Sequence, residues 1–371
     1  MRDLYPLLFQ PVLKDYVWGG RNLARRLGRA LPPGNVAESW EIAAHEDGAS
    51  LVSNGRFAGQ PLTAVHAALG LDLIGANNAW AQERGKFPLL VKLLDAQDKL
   101  SVQVHPDDDY AMAHEGNELG KTEMWVVLHA APGTQVILGV RAGTTAADFR
   151  RAIGDGTLEQ HLHTVDIQPG DFICVPSGSV HAILGGALIA EIQQNSNTTY
   201  RVYDWNRQAN GRARPLHIDK ALDVINFAQV EPALSPPRLV DERDGVRRLL
   251  LCRNRYFTVE RVEFAPGAAY EGACDGRSLE IWGIIEGDVQ LDDLALGAVQ
   301  FALLPAALGP FRVAAAERAV KDSTIAMQQL CCPSAPESRR PPLFSGNCSR
   351  HLRTATRSTT CPRSAQRPCS R

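Results

Sequence analysis

The sequence predicts a mainly β protein, built as barrels or sandwiches of short strands with helices inserted between them. Three observations carry that expectation. From Asp166 onward, short runs such as DFICV, LLLCRNRYFTVERVEF, LEIWGIIEGDVQL and VQFALLPAALGPFRV are separated by Pro-Gly, Ser-Gly and Glu-Gly-Asp turns. Between Leu100 and His105 apolar and polar residues alternate strictly, as in a half-buried strand. The strand-rich regions fall on either side of a proline-bearing stretch that holds Pro232, Pro236 and Pro237. A small barrel whose separate strands could hold one metal ion fits these features. The fold class is therefore mainly β, a cupin-type jelly-roll with two cupin-like units and inserted helices. The expected domains are 1–227 with helical additions, a linker at 228–240, a smaller unit at 241–327 and a disordered basic tail at 328–371.

The chain has 371 residues, 44% of them hydrophobic, and a formal charge of −2, an ordinary soluble composition with room for two domains. No apolar run reaches the roughly 18 residues of a membrane span. Arg2, Asp3, Pro6, Gln10 and Pro11 interrupt any signal-peptide core, so the expected location is cytoplasmic. Five of the eight cysteines lie after residue 330, and none forms a C-x-x-C pair, which argues against a thiolate zinc site. From Cys331 onward eight arginines face one acid, Glu337, a composition too polar to fold. A nucleic-acid arm is the functional reading of that tail and inert chain the bland one; the bland one is preferred, so no nucleic-acid partner is expected.

Taken in order, Asn22–Leu27 and Leu62–Leu69 have helical spacing, the second with Pro61 at its start. Ala37–Ile42 alternates like a strand. The Gly19-Gly20 pair lacks the spacing of a phosphate loop and reads as a turn. Phe87–Leu94 is a buried strand with one charge, Lys92, which either pairs with an acid or points into a polar cavity and meets an anion. In the Leu100–His105 strand, Ser101, Gln103 and His105 share one face. Pro106 ends the ladder, and Asp107 to Asp109 suit a turn. A second strand is expected from Lys121, carrying Glu123. Two short helices are expected between Ala142 and His163. His181 follows the Pro176-Ser177-Gly178-Ser179 turn at the start of a strand.

On chemistry alone, Gln103, His105, Glu123 and His181 form a mixed nitrogen and oxygen donor set. Imidazole with oxygen donors suits Zn²⁺ and does not exclude Mn²⁺, Fe²⁺ or Co²⁺. Each motif by itself is weak, since a Q-x-H on a strand is more often a chance pair and a histidine after a turn more often a surface group.

The motifs occur together in a recognisable order: Trp18-Gly19-Gly20, Glu38-Ser39-Trp40-Glu41, Gln103-x-His105-Pro106, Lys121-Thr122-Glu123, Pro176-Ser177-Gly178-x-x-His181 and Tyr200-Arg201-Val202-Tyr203-Asp204. In this the chain resembles the class I mannose-6-phosphate isomerases, in their short bacterial form, over about residues 5–320. The resemblance implies one Zn²⁺ per chain, held by Gln103, His105, Glu123 and His181. It implies that Arg201 and Lys121 are catalytic, and that Ser101 and Lys92 contact the substrate, chiefly its phosphate. The implied reaction interconverts mannose 6-phosphate and fructose 6-phosphate through an enediolate. The implied partner is a small sugar phosphate. Lys121 is the expected base, with its pKa lowered by the cations Zn²⁺ and Arg201; a carboxylate or metal-bound water is the alternative. Asn197 departs from the family pattern, which often has Asp there. Two other classes of function stay open: a sugar-phosphate-binding sensor with little or no activity, and a cupin metal oxygenase, against which Gln103 and Glu123 argue because such iron sites carry more histidines.

Overall fold

The computed structural model describes residues 4–209, 211–316 and 324–330. Its architecture follows from where apolar side chains alternate. Strands Phe172–Val175, Glu123–Ala130, Ala187–Gln194, Leu89–Ala96, Glu38–Ile42 and Val12–Lys14 lie side by side, in that order, as an antiparallel six-stranded sheet. A five-stranded sheet orders Leu162–Asp166, Gln135–Val140, His181–Ile183, Val102–Val104 and Tyr200–Tyr203. The two sheets pack face to face, through Leu94, Trp125 and Val127 from one and Val136, Leu138 and Ile183 from the other. Burying both faces of the six-stranded sheet explains why all eight residues of Leu89–Ala96 and of Ala187–Gln194 are buried.

A second pair of sheets uses the C-terminal strands. Its larger sheet has eight strands, in the order Arg238–Arg243, Val246–Arg253, Thr258–Phe264, Thr324–Leu330, Glu280–Glu286, Phe301–Leu304, Leu7–Gln10 and Leu51–Val52. Its smaller sheet has Ala269–Cys274, Gly309–Ala315, Val289–Leu291 and Leu294–Leu296. Val262, Phe264, Trp282, Ile284, Phe311 and Val313 fill the space between. This is the mainly β, cupin-type architecture that the alternation predicts.

The N-terminal strand Leu7–Gln10 belongs to this second set and pairs with Phe301–Leu304. A third core joins the two sets, with Leu62, Val65 and Leu69 of one helix packed among Val91, Leu93, Ile192, Phe257 and Leu303. The described residues accordingly form one compact unit. Cys174 and Cys252, with Cα atoms 6.2 Å apart, form a disulfide between a strand of each set. No helix among the described residues is long and apolar enough to cross a membrane.

The helices at Asn22–Leu27, Leu62–Leu69 and Ala146–Asp155 occur where spacing predicts them, the last opened by a capping box between Thr145 and Asp148. Asp107 to Asp109 do not form a mere turn. Asp107 caps a helix, Asp108–His114, by accepting a hydrogen bond from the Tyr110 amide. The basic tail lies outside the described residues apart from Gln328–Leu330, which end the Thr324–Leu330 strand.

Candidate metal centre

Three short-range features aim the donor atoms. Gln103 lies in register with both His181 and Arg201, so these three residues sit abreast across the five-stranded sheet. Val102 and Val104, on the opposite face, are fully buried in a cluster with Phe149 and Tyr200, which disfavours a one-residue slip of the strand. Gly178, at φ +85°, donates its amide to the His105 carbonyl at 2.9 Å and so ties the turn before His181 to the end of the Gln103 strand. Glu123 comes from the facing six-stranded sheet, whose ladder begins there and not at Lys121. Lys121 precedes it in extended chain, its amide bonded to the Pro106 carbonyl. Gly120 lets the chain pass: a Cβ there would lie 2.5 Å from the backbone of Asp107 and Asp108.

The donors converge. His181 Nε2 lies 3.4 Å from Glu123 Oε1, and His105 Nε2 lies 3.5 Å from Glu123 Oε2. Gln103 Nε2 stands 3.3 Å from His181 Nε2. Tetrahedral coordination at zinc–nitrogen distances implies donor separations of about 3.4 Å, which these match. Each imidazole is oriented by a backbone carbonyl on its other nitrogen: His105 Nδ1 donates to Thr198 O at 2.8 Å and His181 Nδ1 to Ser179 O at 2.9 Å. Both Nε2 lone pairs therefore face inward. Burial, then the nearby Lys121 ammonium, pushes His105 well below the usual imidazole value; burial brings His181 down to about 4. Neutral rings are the ligating form. Glu123 Oε2 is buried and accepts no well-aligned hydrogen bond, although Lys121 Nζ is 3.0 Å away. His105, Glu123 and His181 could thus hold a metal ion. Gln103 fits as a fourth donor when its amide is turned to present oxygen, the two orientations being equivalent in shape.

Through Gln103 and Lys121 these groups adjoin a cavity of about 270 Å³ lined by Lys92, Ser101, Gln103, Lys121, Glu191 and Arg201, among others. Five of the eight residues singled out from the sequence line it, and His105, Glu123 and His181 lie against Lys121 and Gln103. Lys121 Nζ lies 3.0 Å from Glu123 Oε2, 3.1 Å from His105 Nε2 and 3.7 Å from Glu191 Oε1, so the protein groups nearest to it are carboxylates and an imidazole. Lys92 faces Glu38 at 3.4 Å and Glu191 at 3.9 Å, so its counter-charge is already built into the protein. Arg201 instead donates to Ser101 Oγ at 3.1 Å and to the Pro215 carbonyl at 3.1 Å.

Sequence reasoning missed Glu191, Glu38, Arg214 and His217, all of which line the cavity. Glu191 had a signal: it is the sole charge in an otherwise apolar and amide strand. Burial, then the Glu123 charge, raises its carboxyl to about 7 against the opposing pull of Lys121 and Lys92.

Comparison with known proteins follows the same lines. The model of the type I phosphomannose isomerase catalytic domain matches residues 7–121. A probable mannose-6-phosphate isomerase from Bacillus subtilis is 39% identical over 315 residues, 83% of this chain and 96% of that protein. A mannose-6-phosphate isomerase from Streptococcus mutans is 41% identical over 255 residues, 68% of this chain and 77% of that protein. The crystal structure of the mannose 6-phosphate isomerase from Bacillus subtilis superposes with a TM-score of 0.74 at 32% identity, covering 87% of this chain and 99% of that one.

Proposed function

Since the chain belongs to the type I phosphomannose isomerases, we propose that it interconverts mannose 6-phosphate and fructose 6-phosphate, with one zinc ion held by Gln103, His105, Glu123 and His181. The observation that carries this reading is the convergence of two neutral imidazoles and a carboxylate beside a cavity whose walls carry Lys92, Lys121 and Arg201. When bound, the ion supplies a Lewis acid that polarises a sugar oxygen.

The protein's own groups supply the rest. Moving a proton between C2 and C1 passes through an enediolate, so negative charge accumulates on the two sugar oxygens. The Arg201 guanidinium, fixed by Ser101 beside Gln103, is aimed where that charge develops and needs no reorganisation to meet it. Lys121 and Glu191 form the proton-handling pair. Lys121, 3.0 Å from Glu123 and 3.7 Å from Glu191, donates toward the sugar, and the Glu191 carboxylate takes the base's part. Ser101 orients Arg201 and contacts substrate from the same face. Lys92 neutralises Glu38 and Glu191, which otherwise would repel an anionic substrate.

The test is an assay coupled to fructose 6-phosphate formation, run before chelation, after chelation and after zinc is returned. Activity that disappears and comes back with zinc is expected. Full activity in metal-stripped protein would remove the zinc from the reading. No turnover in any state, with zinc bound, would remove the isomerase.

A further inference from the structure

The cavity is electrically divided along its length. Near the metal donors, Lys92 and Lys121 face Glu38, Glu123 and Glu191, so that end carries no excess of positive charge. Away from them, two arginines, Arg214 and Arg207, share one acid. Asp204 is buried and accepts from Arg214 Nε at 2.7 Å, Arg214 Nη2 at 2.5 Å and Arg207 Nη2 at 2.7 Å. Arg207 also reaches Asp98 at 3.3 Å. The Arg201 guanidinium, between the two ends, has no carboxylate within 4 Å among the described residues and donates to Ser101 and the Pro215 carbonyl.

Arg214 lines the cavity and Arg207 does not. Its fork is held along one edge, Nε and Nη2, by both oxygens of Asp204. Among the described residues the Nη1 edge makes no hydrogen bond. A guanidinium fixed in this way loses little freedom when it binds an oxyanion. Arg201 and Arg214 also repel one another, each being cationic, and an anion between them relieves that repulsion.

Resting on the isomerase reading above, we propose that Arg214 is the residue by which this enzyme selects a phosphorylated over an unphosphorylated sugar, and that Asp204 is its positioning residue. The phosphate dianion binds Arg214 at the mouth while the reacting carbons reach Arg201, Lys121 and Glu191 further in. Lys92, matched by carboxylates, is not the phosphate contact.

The experiment compares wild type with Arg214→Gln, Arg214→Lys, Asp204→Asn and, as a distant control, Arg312→Gln. Binding of fructose 6-phosphate, fructose and inorganic phosphate to the zinc-loaded protein is measured by calorimetry, and turnover of mannose 6-phosphate is followed alongside. Arg214→Gln is expected to weaken fructose 6-phosphate and inorganic phosphate by about tenfold or more, the scale of a lost charge-assisted bond. Binding of fructose should stay within about twofold. Asp204→Asn should act in the same direction through a raised KM with kcat nearly kept, and Arg214→Lys should recover part of the loss. Equal weakening of sugar and sugar phosphate, or unchanged phosphate binding, would overturn the assignment. A wild type that binds phosphate through Arg214 but isomerises nothing would refute the isomerase reading and leave the phosphate site standing.

Discussion

At the scale of single residues, the centre shows how much depends on a partner's charge. Arg201 faces a hydroxyl and a carbonyl, both neutral, so its charge is available to the reaction. Replacing it with Ala should leave zinc content unchanged and lower kcat by about a hundred- to a thousandfold. Metal analysis and steady-state kinetics on the same preparation check this; loss of zinc together with activity would show that Arg201 supports the donors. Asn197 has a comparable explanation. Its amide donates to Asp47 Oδ2 at 2.7 Å at the cavity mouth, where an aspartate would meet a like charge. The departure from the family's usual residue is thus matched by its neighbour. Gln103, His105 and His181, three of the four proposed donors, were legible because their clues are local: a Q-x-H on one strand face, a histidine just after a Gly turn. Glu191 and Arg214 were not, because their meaning depends on which distant side chains lie opposite.

At the scale of elements, the loop around Glu118 braces the rear of the site. Glu118 Oε1 takes Lys86 Nζ at 3.0 Å and Oε2 faces His45 Nε2 at 3.3 Å. Burial pushes this carboxyl up, but hydrogen bonds from His45 and Lys86, with their charges, outweigh it and hold the pKa at about 2. The folded-state value lies below the unfolded one, so the stabilisation is complete above the ordinary carboxylate range and fades as pH falls toward about 2. Solvent screens this partly open cluster, which limits it to on the order of 1 kcal/mol. Glu118→Gln should therefore lower Tm at neutral pH, and the gap from wild type should narrow in acid. Thermal melts across the acid range check it, and a gap constant with pH would refute it. The helix after Asp107 shows a related lesson. Three consecutive aspartates read equally well as a turn or a cap, and the choice follows from tertiary bonds. Asp108 accepts from the Gly120 amide, Gln194, Tyr256 and Arg255, which come from three distant parts of the chain.

At the scale of the whole molecule, the division suggested by the proline-bearing stretch follows composition, whereas the sheets interleave. Leu7–Gln10 completes the C-terminal sheet, and Thr324–Leu330 lies inside that sheet, between Thr258–Phe264 and Glu280–Glu286. A chain ended at Leu330 should keep wild-type turnover and Tm. A chain ended at Ser323 should lose both, since two strands would forfeit their shared partner. Equal behaviour of the two truncations would refute the central place of the last strand.

The alternation of side chains along single strands determined, from sequence alone, a cupin-type β architecture, the inward face of Gln103 and His105, and the helices at Leu62–Leu69 and Ala146–Asp155. Those are short-range properties, set by the two-residue and 3.6-residue repeats of the backbone. Only the tertiary structure decided that Lys92 and Lys121 meet carboxylates, that Arg201 meets none, and that Arg214 joins the cavity. Electrostatic partnership depends on distance in space, and neighbours such as Lys92 and Glu191 are brought abreast only by the pairing of strands far apart in the chain.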